Sequence, residues 1–128
     1  MFGFGPATRI YAATGATDMR KSFNGLYGLV RDRLGCDPTS GHVFLFTNAR
    51  RNRLKLLVYD GSGLWVAAKK LDGGRFRWPE SNTTATRIVL SPEELALLVG
   101  GIDLVETRPR KWHRKPLLEA SRESLKTA

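Results

Sequence analysis

Two glycine turns constrain this chain more than any other feature. Asp60-Gly61-Ser62-Gly63 and Asp72-Gly73-Gly74 cut its middle into short runs in which apolar and charged residues alternate. Glycine supplies the positive φ that tight hairpin turns need, so each turn predicts an antiparallel strand on either flank. The strand candidates are His42 to Thr47, Arg53 to Tyr59, Leu64 to Leu71 and Arg75 to Trp78. Pro79 stops the last of them, because proline cannot donate to a central ladder. Arg9 to Thr14 and Arg87 to Leu90 add two more short strands.

Two helices complete the pattern. Phe23, Leu26, Tyr27, Val30 and Leu34 recur at helical spacing after a candidate N-cap at Asp18, and Gly35 ends the stripe. Gly25 and Gly28 inside it suggest close packing against a sheet. Ser91-Pro92-Glu93-Glu94 is a complete helix start, with a capping serine, proline at the first helical position and Glu94 closing a capping box. Leu95, Leu98 and Val99 give that helix its apolar face. The order β-α-β-β-β-β-β-α predicts an α+β domain over residues 1–107, with residues 1–8 as a flexible lead-in. Residues 108–128 read as a basic, flexible tail. The sheet is expected to be an antiparallel meander, with both helices packed on one face and the other face open and basic.

Period-2 alternation assigns side chains to faces. Leu54, Leu56, Val58, Phe76, Trp78, Ile88 and Leu90 point inward on this reading, beneath Phe23, Tyr27, Val30 and Leu95. Arg53, Lys55, Arg75, Arg77 and Arg87 then project outward with Tyr59 nearby, and Trp65 and Lys69 share a face. From Arg50 to Trp78 there are eight basic residues, and the two carboxylates, Asp60 and Asp72, both sit in the turns. Like charges repel across a sheet, so a solvated face usually mixes signs, and a one-signed face points to a polyanion. Basic residues also guard the open faces and edges of ordinary sheets, and that plainer reading stands beside the first.

The whole chain leans the same way, with 21 basic against 12 acidic residues in 128 and a net charge of +9. Such an excess favours nucleic acid over small neutral ligands. The phosphate-contact candidates are Arg53, Lys55, Lys69, Arg75, Arg77 and Arg87, with Tyr59 and Trp65 offering rings for base stacking. In the tail, Arg110 and Lys111 precede Trp112, and all three join the set.

Catalytic chemistry finds no foothold. His42 and His113 lack partners at metal-ligand spacing, and Asp18, Asp60, Asp72 and Asp103 sit beside glycines or caps where structural roles explain them. His42, opening a strand, reads as a hydrogen-bonded structural histidine. Cys36 is alone, so no disulfide forms within the chain. No glycine-rich phosphate loop precedes a helix. The expectation is therefore no catalytic residue, no metal and no cofactor. No apolar run approaches the ~20 residues of a membrane span, and the first residues lack a signal-peptide layout, so a cytoplasmic protein is expected.

Four ordered stretches carry a family resemblance: TGATDMRKSFNGL (Thr14 to Leu26), DPTSGHVFLF (Asp37 to Phe46), RLKLLVYDGSG (Arg53 to Gly63) and KKLDGGRFRWP (Lys69 to Pro79). Through most of residues 8–105 the chain resembles the TnpB accessory proteins of the insertion-sequence sixty-six group of bacterial transposable elements. These are distinct from the RNA-guided nucleases that share the TnpB name. The resemblance implies a non-catalytic role in transposition beside a separately encoded transposase, and it brings no catalytic residues with it. Asp18, Met19, Arg20, Lys21, His42, Arg75, Phe76 and Trp78 match the family pattern. On this basis Arg20 and Lys21 join the basic sheet face as residues that would hold element-end DNA for the transposase. The alternative is a protein-interaction adaptor that docks the transposase or self-associates, its charge matched to an acidic partner.

Overall fold

The computed structural model describes residues 7–79 and 84–100, which form five strands and two helices. In chain order these are β1 (Ile10–Ala13), α1 (Phe23–Asp32), β2 (Val43–Thr47), β3 (Arg53–Tyr59), β4 (Leu64–Lys70), β5 (Arg87–Leu90) and α2 (Pro92–Val99). The class is α+β, as the sequence predicts. The expected lead-in lies mostly, and the basic tail wholly, outside the described residues.

The sheet order is β4-β3-β2-β1-β5. The β2–β3 and β3–β4 pairs are antiparallel hairpins, and the second keeps the register set by its glycine turn, from Tyr59↔Leu64 down to Arg53↔Lys70. The pure meander does not form. β1 runs parallel to β2, and β5 pairs antiparallel with the far side of β1. A parallel neighbour cannot be reached by a tight turn, so α1 serves as the crossover between β1 and β2. β2 becomes the central strand and is buried from Val43 to Thr47, which explains why VFLF is apolar without alternation.

Both faces of the sheet are covered. Pairing register places Ile10, Ala12, Val43, Leu45, Leu54, Leu56, Val58, Ile88 and Leu90 on one face, where they pack with Leu95, Leu98 and Val99 of α2. The opposite face carries Ala13, Phe44, Phe46 and Leu57 beneath Leu26, Val30 and Leu34 of α1. The two helices thus lie on opposite faces, and the open basic face expected from the sequence is absent. Val30 belongs to the α1 layer rather than covering Leu56, and Phe23 is 48% exposed.

Arg75 to Trp78 is the second departure. Its alternation is real, because Phe76 and Trp78 are buried while Arg75 and Arg77 are exposed, yet the segment is not a strand. Gly74, at φ 73°, turns the chain under the α2-side face instead of beside β4. There the Phe76 N–H donates to the Arg51 carbonyl at 2.6 Å and the Trp78 indole Nε1 donates to the Ala13 carbonyl at 2.9 Å. Burying two aromatic rings satisfies the same pattern that a paired strand would.

Local signals set the helix ends. Ser91 Oγ accepts from the Glu94 N–H while Glu94 Oε1 accepts from the Ser91 N–H, the capping box visible in the sequence. Gly35, at φ 66°, reverses the chain after α1, and the Cys36 N–H donates back to the Val30 carbonyl. Asp18 is not the N-cap of α1; the helix starts after Ser22, whose side chain makes no capping bond. Nor do the interior glycines mark contact with the sheet. A Cβ on Gly25 would meet the Lys21 side chain, and one on Gly28 would meet nothing within 4 Å.

Leu56→Ala should cost about 2–5 kcal/mol in urea unfolding, the usual loss for a buried leucine. Phe23→Ala, at a half-exposed site, should stay within about 0.5 kcal/mol. Equal losses at the two positions would contradict the assignment of faces.

Candidate nucleic-acid interface

The basic residues gather at one end of the sheet. Three segments meet where β1 and β2 finish, β3 begins and β4 finishes. The loop before α1 is fastened there by the Thr17 N–H to the Thr47 carbonyl at 2.7 Å. The β2–β3 turn is closed by Asn48, whose Oδ1 accepts from the Asn52 and Arg53 N–H groups, both at 3.1 Å. Arg51 occupies the left-handed region there, at φ 58°. The segment after β4 joins through the Leu71 N–H to the Asn52 carbonyl at 2.9 Å and through Phe76 to Arg51. Residues 17–22, 47–55 and 69–76 together hold nine lysines and arginines against two carboxylates, Asp18 and Asp72.

One of those carboxylates is already engaged. Asp18 Oδ2 accepts from Arg20 NH2 at 2.8 Å, and Asp18 Oδ1 accepts from the Arg20 N–H and Nε. These bonds, the side-chain ones first, hold the Asp18 carboxyl well below the usual carboxylate range. The pair is exposed and orders the loop more than it stabilises the fold.

Several predicted contact residues work inside the fold. Lys55 Nζ donates to the Lys21 carbonyl at 2.7 Å, holding the loop before α1 down on β3. Lys69 lies on the α2-side face, opposite Leu54, and its Nζ donates to the Val99 carbonyl at the C-terminal end of α2, at 2.8 Å. Arg87 NH1 donates to the Leu34 carbonyl just past α1, with its guanidinium carbon 5.6 Å from the centre of the Tyr11 ring. Cations at helix C-termini satisfy carbonyls left without helical partners. Arg53, Lys55 and Arg87 are on the α1-side face, whereas Arg75 and Arg77 sit on the segment beneath the other face. The single platform expected from alternation is therefore split.

Tyr59 and Trp65 lie at the far end of β3 and β4, roughly 20 Å from Arg53 at about 3.3 Å per residue. The Tyr59 hydroxyl donates to the Gly61 carbonyl at 3.0 Å, and Trp65 Nε1 donates to Asp60 Oδ2 at 2.7 Å. Neither ring is placed to stack beside the basic end. Arg110, Lys111 and Trp112 lie outside the described residues. His42 Nδ1 accepts the Arg9 N–H at 3.0 Å, a structural bond.

The basic end contains a residue absent from the set the sequence suggests. Lys70 is the direct cross-strand partner of Arg53 on the α1-side face. A hairpin register fixed by Tyr59↔Leu64 puts residue 70 opposite residue 53, so the signal was present in the turn. Both residues line a cleft of about 250 Å³ with Met19, Leu54, Lys55, Ala68 and Lys69. No carboxylate lines it. Among the described residues, no three His, Cys, Asp or Glu side chains gather to hold a metal ion, and no helix is long and apolar enough to cross a membrane.

Comparison with known proteins places this geometry in context. Residues 8–109 match the family described as IS66 Orf2 like protein. The chain is similar to "Uncharacterized protein y4jC" of Sinorhizobium fredii, 38% identical over 116 residues, covering 91% of this chain and 97% of that one. It is also similar to "Uncharacterized protein y4hO" of the same organism, 39% identical over 103 residues, covering 80% and 88%. No solved structure matches the chain.

The β3–β4 turn offers a pH test of local geometry. Asp60 is held well below the usual carboxylate range by the Ser62 N–H, the Trp65 indole, the Ser62 hydroxyl and the Gly63 N–H. A carboxylate depressed in the folded state stabilises it above the unfolded pKa of about 3.9, and that contribution is lost as pH falls toward the folded value. Between about pH 5 and pH 2, Asp60→Asn should therefore lose less stability than the native chain. Parallel acid-unfolding curves would show that the turn is not held through Asp60.

Proposed function

The chain belongs to the IS66 Orf2 like family, and from that premise we propose a transposition accessory protein that performs no strand chemistry of its own. Its basic sheet end holds nucleic acid for a separately encoded transposase. One observation carries this reading. Nine basic residues from three separate segments meet at this end, those segments carry two carboxylates, Asp18 and Asp72, and Asp18 is bound to Arg20.

Folding this much like charge together is unfavourable unless something compensates it. A polyanion does so while releasing its own condensed counterions, which drives association and makes it salt-dependent. The residues proposed to meet phosphates are Lys21, Arg50, Arg53, Lys70 and Arg75, with Arg110 and Lys111 of the tail adding to the same attraction. Lys55, Lys69 and Arg87 hold the fold that presents them. Among the described residues no recognition helix with clustered base-reading side chains accompanies this end, which favours the nucleic-acid backbone over base sequence as the target.

Log affinity for duplex DNA should fall linearly with log salt, with a slope of roughly −4 for four or five phosphate contacts. Replacing Lys21 and Arg50 together by alanine should flatten the slope by about 2, whereas Arg31→Ala, a charge change on the exposed side of α1, should leave it unchanged. Deleting residues 108–128 tests the tail's share. Absence of salt-dependent binding to any nucleic acid would overturn the reading in favour of a protein adaptor, with transposase capture as its measurement.

A further inference from the structure

Within the basic end, one pair of charges is set apart from the rest. Arg53 and Lys70 face each other directly across an antiparallel ladder, on the same face, at the open end of the β3–β4 hairpin. Like charges in this position repel and weaken the pairing. Neither side chain has a carboxylate partner among the described residues, where the ion pairs are Asp18–Arg20 and Arg31–Asp32. Other long cations nearby are committed elsewhere: Lys55 to the Lys21 carbonyl, Lys69 to the Val99 carbonyl and Arg20 to Asp18.

The space between the pair is shaped. Arg53 and Lys70 line the cleft of about 250 Å³ together with Leu54, Lys55, Ala68, Lys69 and, from the loop before α1, Met19. That loop is held over the cleft by Lys55, so Lys55 is a positioning residue for the site. The volume falls just below the 300–1,000 Å³ typical of whole-ligand pockets, which suits a single charged group attached to something larger. The Met19 wall offers an apolar surface to whatever carries the charge.

We propose that Arg53 and Lys70 form a site for one phosphate oxyanion, seated between them and converting their mutual repulsion into shared attraction. Arginine presents a planar fork that can bond two phosphate oxygens, and lysine adds a point charge from the opposite strand. This rests on the nucleic-acid reading above for the source of the phosphate, a backbone phosphodiester, although free phosphate shares the chemistry.

The test uses the full chain, with Arg53→Gln, Lys70→Gln and the double variant. Millimolar inorganic phosphate should raise the melting temperature of the native protein above that in chloride of equal ionic strength, and its phosphorus resonance should broaden. Both effects should vanish in either single variant. In phosphate-free buffer each single variant should melt higher than the native protein, because the cross-strand repulsion is gone. In DNA titrations the double variant should flatten the salt slope by about 0.9, the value for one phosphate, and not by twice that. A duplex oligonucleotide that reverses the phosphorus broadening identifies the backbone as the source; persistence of broadening identifies free phosphate, and the site stands. Phosphate effects equal to those of chloride, or unchanged in the variants, overturn the site. DNA binding with an unaltered slope in the double variant would then leave the wider basic end intact, whereas phosphate binding without any DNA binding would overturn the wider reading alone.

Discussion

The parallel pairing of β1 with β2 is the constraint on which the rest of the architecture depends. Two parallel neighbours must be joined by a crossover, and here the crossover is α1, which leaves from the end where β1 finishes. The loop that leads into it, carrying Asp18 to Lys21, is thereby brought beside the β2–β3 turn. Had β1 joined the meander by a hairpin, that loop would have no reason to lie on β3. The same pairing makes β1 an inner strand, opens its other side to β5, and buries β2 on both faces.

From this follows a division of labour among the cations. Three of them reach backbone carbonyls: Lys55 at the loop before α1, Arg87 just past its end, and Lys69 at the end of α2. Each joins a helix to the sheet through a backbone carbonyl, so some of the chain's charge is used internally. The Arg53 and Lys70 side chains have no carboxylate partner among the described residues. A charge count cannot separate these two kinds of lysine and arginine, because the distinction lies in which carbonyl is within reach.

The layers also explain why both sheet faces are apolar despite the charged residues in the strands. Lys55 stands on the α1-side face at the margin of the covered area, and Arg53 lies beyond it. On the α2 side, Phe76 and Trp78 fill the space that the short helix leaves, and the Trp78 indole finds a buried acceptor at the end of β1. Seven of the residues that alternation assigned inward (Leu54, Leu56, Val58, Phe76, Trp78, Ile88 and Leu90) do pack together there.

The sequence by itself determined what depends on near neighbours. Glycine turns set the register of β3 on β4, Ser91 to Glu94 set the start of α2, Gly35 set the end of α1, and alternation chose which side chains share a face. Those outcomes follow from backbone φ, local hydrogen bonds and the two-residue period of a strand, all encoded within a few positions. Tertiary structure alone decided that β1 lies parallel to β2, that the helices cover opposite faces, and that Arg75 to Trp78 passes under the sheet instead of joining it. These turn on burying apolar surface from segments distant in the chain, and several arrangements satisfy the same alternating pattern. The location of the positive charge was decided there too: the residues are plain in the sequence, but their meeting at one end of the sheet is a consequence of packing.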